Sequence, residues 1–239
     1  LGGDRNAETG KISEEEIAGL LVAHSLWLSS SGAQGAQFDM PGANLIYGGF
    51  LQADLREASL PGATLIHANL RECDLTQANL VDTNLEGASM VNTILTNARL
   101  IRANLDKAVI PGVNFENADL TDAKLRGTNL LSANFTHTRM SGADLTDANL
   151  AGASVRDSVL DGVNLTDAKL MLVDFSGSSL KRAVMTRAIM FGAILSGADF
   201  SDADLSSVLG LTSDQLATAY GNRGTRLPAA LAGLIMREK

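Results

Sequence analysis

Every fifth residue from Met40 to Leu205 is Leu, Phe, Met, Ile or Val, thirty-four times in succession without a slip. Two residues before each of these centres, from Leu45 on, stands a small or compact residue. Alanine takes 22 of those 33 places; Gly48, Cys73, Ser158, Ser178, four threonines and three valines take the rest. A strict internal period restricts a chain to architectures that repeat one unit. A period of five is neither helical nor simply alternating. In the unit Ala118-Asp119-Leu120-Thr121-Asp122 the alanine and the leucine are two apart. Extended backbone points both the same way and the residue between them outward. The last two places are rich in Gly, Asn, Asp and Ser, as at Gly127, Gly142 and Gly152, and such residues make turns. Proline enters just after the centre, at Pro41, Pro61 and Pro111, where its fixed φ suits a turn. Each unit is therefore expected to be a short extended piece followed by a corner.

These units resemble the pentapeptide-repeat family, whose signature is Ala-(Asp/Asn)-Leu-x-x. Ala53-Asp54-Leu55, Ala68-Asn69-Leu70, Ala78-Asn79-Leu80, Ala103-Asn104-Leu105, Ala143-Asp144-Leu145, Ala148-Asn149-Leu150 and Ala203-Asp204-Leu205 carry the match. The resemblance implies an all-β solenoid, a right-handed quadrilateral β-helix with four units per coil and about 8.5 coils. At the strand spacing of about 4.8 Å such a rod is roughly 40 Å long. Its centre side chains would fill the middle in layers, each buried leucine contributing about 1.5–3 kcal/mol.

The ends read differently. Residues 1–12 are polar and aperiodic and are expected to be a flexible tail. Residues 13–37 are expected to form a helical cap. Ser13 and Glu16 make a capping box, and Ile17, Leu20, Leu21, His24, Trp27 and Leu28 share one face. Stacked arrays need such caps because their open edges invite aggregation. Phe38, where later units carry alanine, is expected to point into the cap and meet Trp27. The repeat spans 38–207, and 208–239 is expected to be a C-terminal helical cap. There Thr212 and Gln215 make a second capping box, with a helix from Ser213 to Tyr220. A last helix after Leu227-Pro228 would carry Leu231, Leu234 and Ile235 on one side, a candidate homodimer contact.

The formal charge of −8 disfavours direct contact with nucleic-acid phosphates. One cysteine, Cys73, precludes an internal disulfide and fits a reducing, cytoplasmic compartment. The longest apolar run, Leu20 to Leu28, is too short to span a bilayer. The chain begins at Leu1 rather than Met, so a processed or trimmed start is expected.

With four units to a coil, residues twenty apart share a face. Three faces mix acids and bases. The face with centres 50, 70 and on to 190 bears only Arg71, Glu72 and Lys169, and carries Leu51, Val91, Val109, Pro111, Leu131, Met171, Leu172, Ile189 and Phe191 outward. Contiguous apolar surface marks contact sites, so Leu51, Val91, Val109, Leu131, Met171, Leu172, Ile189 and Phe191 form the candidate interaction face. No phosphate loop, nucleophile elbow, Cys-x-x-Cys or His-Glu-x-x-His is present, and no cofactor is expected. The reading is a non-enzymatic protein-binding or scaffold module with an unidentified protein partner. The alternative, from family analogy, is an acidic DNA mimic that binds a type II topoisomerase, of the quinolone-resistance type.

Overall fold

The computed structural model describes residues 10–234 and 236–238. From Asp39 to Leu209 the residue before each centre pairs in parallel with the residue twenty further on, beginning at Asp39 and Ser59 and ending at Ile189 and Leu209. Four five-residue units therefore close one coil. Leu120 shows the bonding: its N–H donates to the Arg139 carbonyl at 2.7 Å, and the Arg139 N–H donates back to the Ala118 carbonyl at 3.0 Å. The corner residue Asp122 adds a third bond, to the Ser141 carbonyl at 3.0 Å.

The corners explain the two variable places of each unit. The Ala123 N–H closes a four-residue turn onto the Leu120 carbonyl at 3.0 Å, with Asp122 at φ 57°. That left-handed conformation favours Gly, Asn and Asp, as the sequence implied. The Asp or Asn in the middle of the unit has a separate task. Asp119 Oδ1 accepts from the Thr121 N–H at 3.0 Å, and Asn134 does the same for Thr136 at 3.0 Å. The ladder leaves that turn N–H unused, and the side chain supplies its acceptor.

Inside, every centre from Leu45 to Leu205 and every small residue before it from Ala58 on is buried. Where the small place is polar, its side chain bonds a centre carbonyl, of the neighbouring coil everywhere but at Thr128, which bonds Leu125 of its own coil. Thr83 Oγ1 donates to Leu60 at 2.9 Å, Thr138 Oγ1 to Phe115 at 3.1 Å, and Cys73 Sγ to Phe50 at 2.6 Å. Among the described residues no buried side-chain nitrogen or oxygen lacks a partner, which such an interior requires. Gly48 is not alanine because a Cβ there would stand 2.6 Å from the Phe50 ring.

Each end is closed face by face. Helix α1 (Glu14–Ser29) starts from the Ser13–Glu16 capping box. Below the first coil, the Ile12 N–H bonds the Asn44 carbonyl at 3.0 Å, Glu14 accepts from the Gly49 N–H at 3.3 Å, and His24 bonds the Arg56 carbonyl at 3.0 Å. Two expectations need correction here. Lys11 pairs with Asn44 and Ile12 is buried, so residues 10–12 belong to the rod's lower edge rather than to a free tail; the rest of that stretch lies outside the described residues. Phe38 is buried under the cap, but it meets His24 and Phe50 edge-on, and Trp27 stacks on the far side of His24.

The far end differs more from expectation. Helix α2 (Ser213–Ala217) stops short of Tyr220 because Tyr220 is needed as an extended residue, paired with Asp199. Arg226 pairs with Asp204, and Arg237 then pairs with Tyr220. The closing segment is therefore a partial extra coil. The expected last helix is a three-residue 3₁₀ turn, Ala229–Leu231. Leu231 and Leu234 pack partly buried against the core, while Ile235 lies outside the described residues. The chain there spends its backbone on the rod, as in the Gly221 N–H bond to the Arg237 carbonyl at 2.8 Å.

Candidate interaction face

Because coils stack in register, each face of the rod is a column of residues twenty apart, and charge is distributed unevenly among the four. On the face of centres 45 to 205, Arg126 pairs with Asp144 at 2.6 Å, Arg187 with Asp167, and Arg226 with Asp204 at 3.0 Å. On the face of centres 55 to 195, Arg56 joins Asp54 at 2.6 Å and Arg156 meets Asp174 at 3.6 Å. On the face of centres 40 to 200, Arg102 pairs with Asp82 at 2.6 Å and Lys181 with Asp199 at 3.5 Å. The arginine beside it holds the carboxyl of Asp54, Asp82 or Asp167 below the usual carboxylate range. Among the described residues, every ion pair lies on these three faces.

The fourth face, centres 50 to 190, carries the apolar column. Leu51, Val109, Leu131, Met171, Leu172 and Phe191 are exposed there; Val91 and Ile189 are half-buried between their neighbours. The structure adds Leu209, which pairs with Ile189 and extends the column by one coil. The sequence signal for it was the register itself: Val208 and Leu209 occupy their proper places, and only Gly210 interrupts the centres. Tyr47, at the adjoining corner, is also exposed and stacks on His67 at 5.4 Å between ring centres. Single apolar residues stand exposed on the other faces too, at Ile94, Val159, Val184 and Ile194, but none of those faces gathers a column.

Leu172 stands out within the column. It occupies the corner place at φ 58° with 69% of its surface exposed. Left-handed backbone costs a bulky side chain about 1 kcal/mol, and exposure returns nothing for it. It is the only aliphatic residue in that conformation among the described residues. Its Cδ2 lies over Gly192 of the next coil, where a Cβ would come within 2.8 Å. Phe191 lies likewise against Gly210.

Little else offers chemistry. Burial pushes the Cys73 thiol up to about 11, so it stays protonated. Among the described residues no group of three or more His, Cys, Asp or Glu is arranged to hold a metal, and no helix is long and apolar enough to cross a membrane. His67 and His137 sit exposed at separate corners.

Comparison with known proteins agrees with the repeat. A family model of pentapeptide repeats matches residues 39–206 in eight copies. Among solved structures, HetL of the cyanobacterium Nostoc sp. strain PCC 7120, a pentapeptide repeat protein involved in heterocyst differentiation regulation, is 28% identical. The match covers 89% of this chain and 98% of HetL with a TM-score of 0.61. QnrB1, a plasmid-mediated fluoroquinolone resistance protein, is 18% identical over 83% of this chain and 94% of its own, with a TM-score of 0.33. A pentapeptide repeat protein of the Arabidopsis thaliana thylakoid lumen is 23% identical over 59% of this chain and 80% of its own, with a TM-score of 0.26. No curated protein matches the chain significantly. The likeness to HetL carries the architecture with it, a right-handed β-helical solenoid.

Proposed function

The chain belongs to the pentapeptide-repeat family, and from that premise we propose that it is a non-enzymatic rod that works by binding another protein along one face. One observation carries the reading: the exposed column of Leu51, Val109, Leu131, Met171, Leu172, Phe191 and Leu209 runs the length of a face free of ion pairs, while the other three faces are laced with them. Apolar surface gathered this way is stabilised by being covered. The interior is filled by side chains along the rod, so whatever the rod meets it meets on its surface. The relative HetL, involved in heterocyst differentiation regulation, fits a regulatory binding role of this kind.

The test pairs light scattering with pull-down, using wild type and a Leu131→Glu, Phe191→Glu double variant. The variant is expected to keep its β-rich spectrum and lose the wild-type associations. A double variant with unchanged mass and unchanged partners overturns the reading. The same mass measurement reads self-association through this face or through the C-terminal segment bearing Leu231 and Leu234.

A second reading, an acidic DNA mimic engaging a type II topoisomerase, is supported by the net charge of −8. Against it, many carboxylates are committed within the rod. Asp119, Asp144, Asp174, Asp199 and Asp204 turn an oxygen onto their own corner N–H groups, and arginines or lysines neutralise several of them. Added protein is expected to leave gyrase supercoiling unchanged at about micromolar concentration; inhibition or protection would favour the mimic.

A further inference from the structure

The N-terminal cap is held by a histidine with no room for a second proton. His24 is fully buried between Trp27, stacked at 5.7 Å, and Phe38, edge-on at 6.2 Å. Its Nδ1 accepts from the Phe38 N–H at 3.0 Å, and an amide N–H only donates, so that nitrogen carries no proton. Nε2 therefore holds the ring proton and donates it to the Arg56 carbonyl at 3.0 Å. One neutral tautomer thus joins α1 both to the start of the first coil and to the face of centres 55 to 195. We propose that His24 is a proton-operated latch: protonating its ring detaches α1 from the first coil and leaves the rod wound.

The second proton has one place to go, Nδ1, where it meets the Phe38 N–H head-on. That costs the bond and leaves an imidazolium in an apolar slot between two aromatic rings. The charged groups facing the ring come from the first coil. Asp54 and Glu57 favour the imidazolium, and Arg56 opposes it. Asp54 is the stronger of the two acids, although its carboxylate is also gripped by the Arg56 guanidinium at 2.6 and 2.8 Å. Burial is the largest influence and holds the His24 ring below its ordinary proton affinity; the carbonyl bond and the two acids only partly offset it. The sign follows. Above about pH 6.5 the folded and unfolded chains both keep the ring neutral, and the cap has its full stability. As pH falls below that value the unfolded or detached form takes up the proton first, so the latch weakens with acid. The coil interior has no equivalent weakness, since no centre and no small inward place is a histidine, and His67 and His137 sit exposed at corners. Detachment bares Phe38, the Gly49 N–H and the Arg56 carbonyl, the lower edge of the first coil.

The whole chain serves for the test. NMR follows the His24 ring and backbone amides in parallel between about pH 7.5 and about pH 5. The expected result is a neutral Nε2–H ring at the upper pH. Its protonation is expected to coincide with roughly tenfold or greater loss of exchange protection at Ile17 and Phe38, after correction for intrinsic rates, and unchanged protection at Leu120. Trp27, the only tryptophan, is expected to shift its emission to the red over the same interval. His24→Gln keeps a donor for the Arg56 carbonyl and an acceptor for the Phe38 N–H without a titrating group, and its cap is expected to stay closed throughout. A wild-type ring that takes up its proton while Ile17 and Phe38 remain protected overturns the latch. So does a His24→Gln cap that opens over the same pH interval.

Discussion

At the scale of the single residue, the structure separates places that serve the rod from places that do not. Asp119 and Asn134 look like surface polar residues in the sequence, yet each supplies an acceptor to its own corner. Leu172 serves no such purpose: it sits in a left-handed corner, exposed, where the other described corners hold glycine, a polar or charged residue, or Tyr47. A strained conformation that persists without local benefit points to a role outside the fold. Leu172→Gly is expected to stabilise the rod by about 1 kcal/mol in thermal or denaturant unfolding, and to weaken association through the apolar face. A variant less stable than wild type would show that Leu172 is held by packing after all, and would remove it from the contact surface.

At the scale of the element, most of what repeats was legible and most of what does not was not. The centres, the small inward places, the corners and the two capping boxes all follow from local spacing, because each unit sees the same surroundings. The caps depend on which backbone groups the last coil leaves open, and no local pattern records that. So the helix expected to reach Tyr220 ends at Ala217, and the helix expected to carry Leu231 and Leu234 is a three-residue 3₁₀ turn, Ala229–Leu231, ahead of the closing bridge at Arg237. The apolar column was legible except for Leu209, hidden by Gly210 at the next centre. Gln215 illustrates the economy of the C-terminal cap. Its Oε1 accepts from the Thr212 N–H at 2.9 Å, and its Nε2 donates to the Ala193 carbonyl at 2.8 Å and the Met190 carbonyl at 3.3 Å. Gln215→Glu keeps the first bond and abolishes the other two, setting an anion against two carbonyls. The expected cost is about 1–3 kcal/mol, felt locally. Amide exchange over residues 213–220 should accelerate while the central coils hold; equal exchange in both proteins would mean that α2 docks through Leu216 alone.

At the scale of the whole molecule, the rod has one architecture but many ways to display a surface. Its interior is nearly indifferent to which unit follows which, since every coil presents the same small and large places. Its exterior is not indifferent at all. The unbroken register from Met40 to Leu205 therefore works as an angular index. Removing residues 121–125 takes out one side of one coil. The centres remain in step, and the fold is expected to survive with a cooperative melt. Everything downstream, however, turns back by a quarter of a revolution: Leu131, Met171, Leu172 and Phe191 swing onto the neighbouring side, away from Leu51 and Val109. Removing residues 136–155 shortens the rod by a full revolution and leaves the azimuth of every remaining residue unchanged. The shorter excision is expected to abolish association and the longer one to retain it; equal behaviour of the two would mean that alignment along the rod carries no message. For such a molecule, the remainder after division by four, not the number of units lost, decides whether a partner still recognises it.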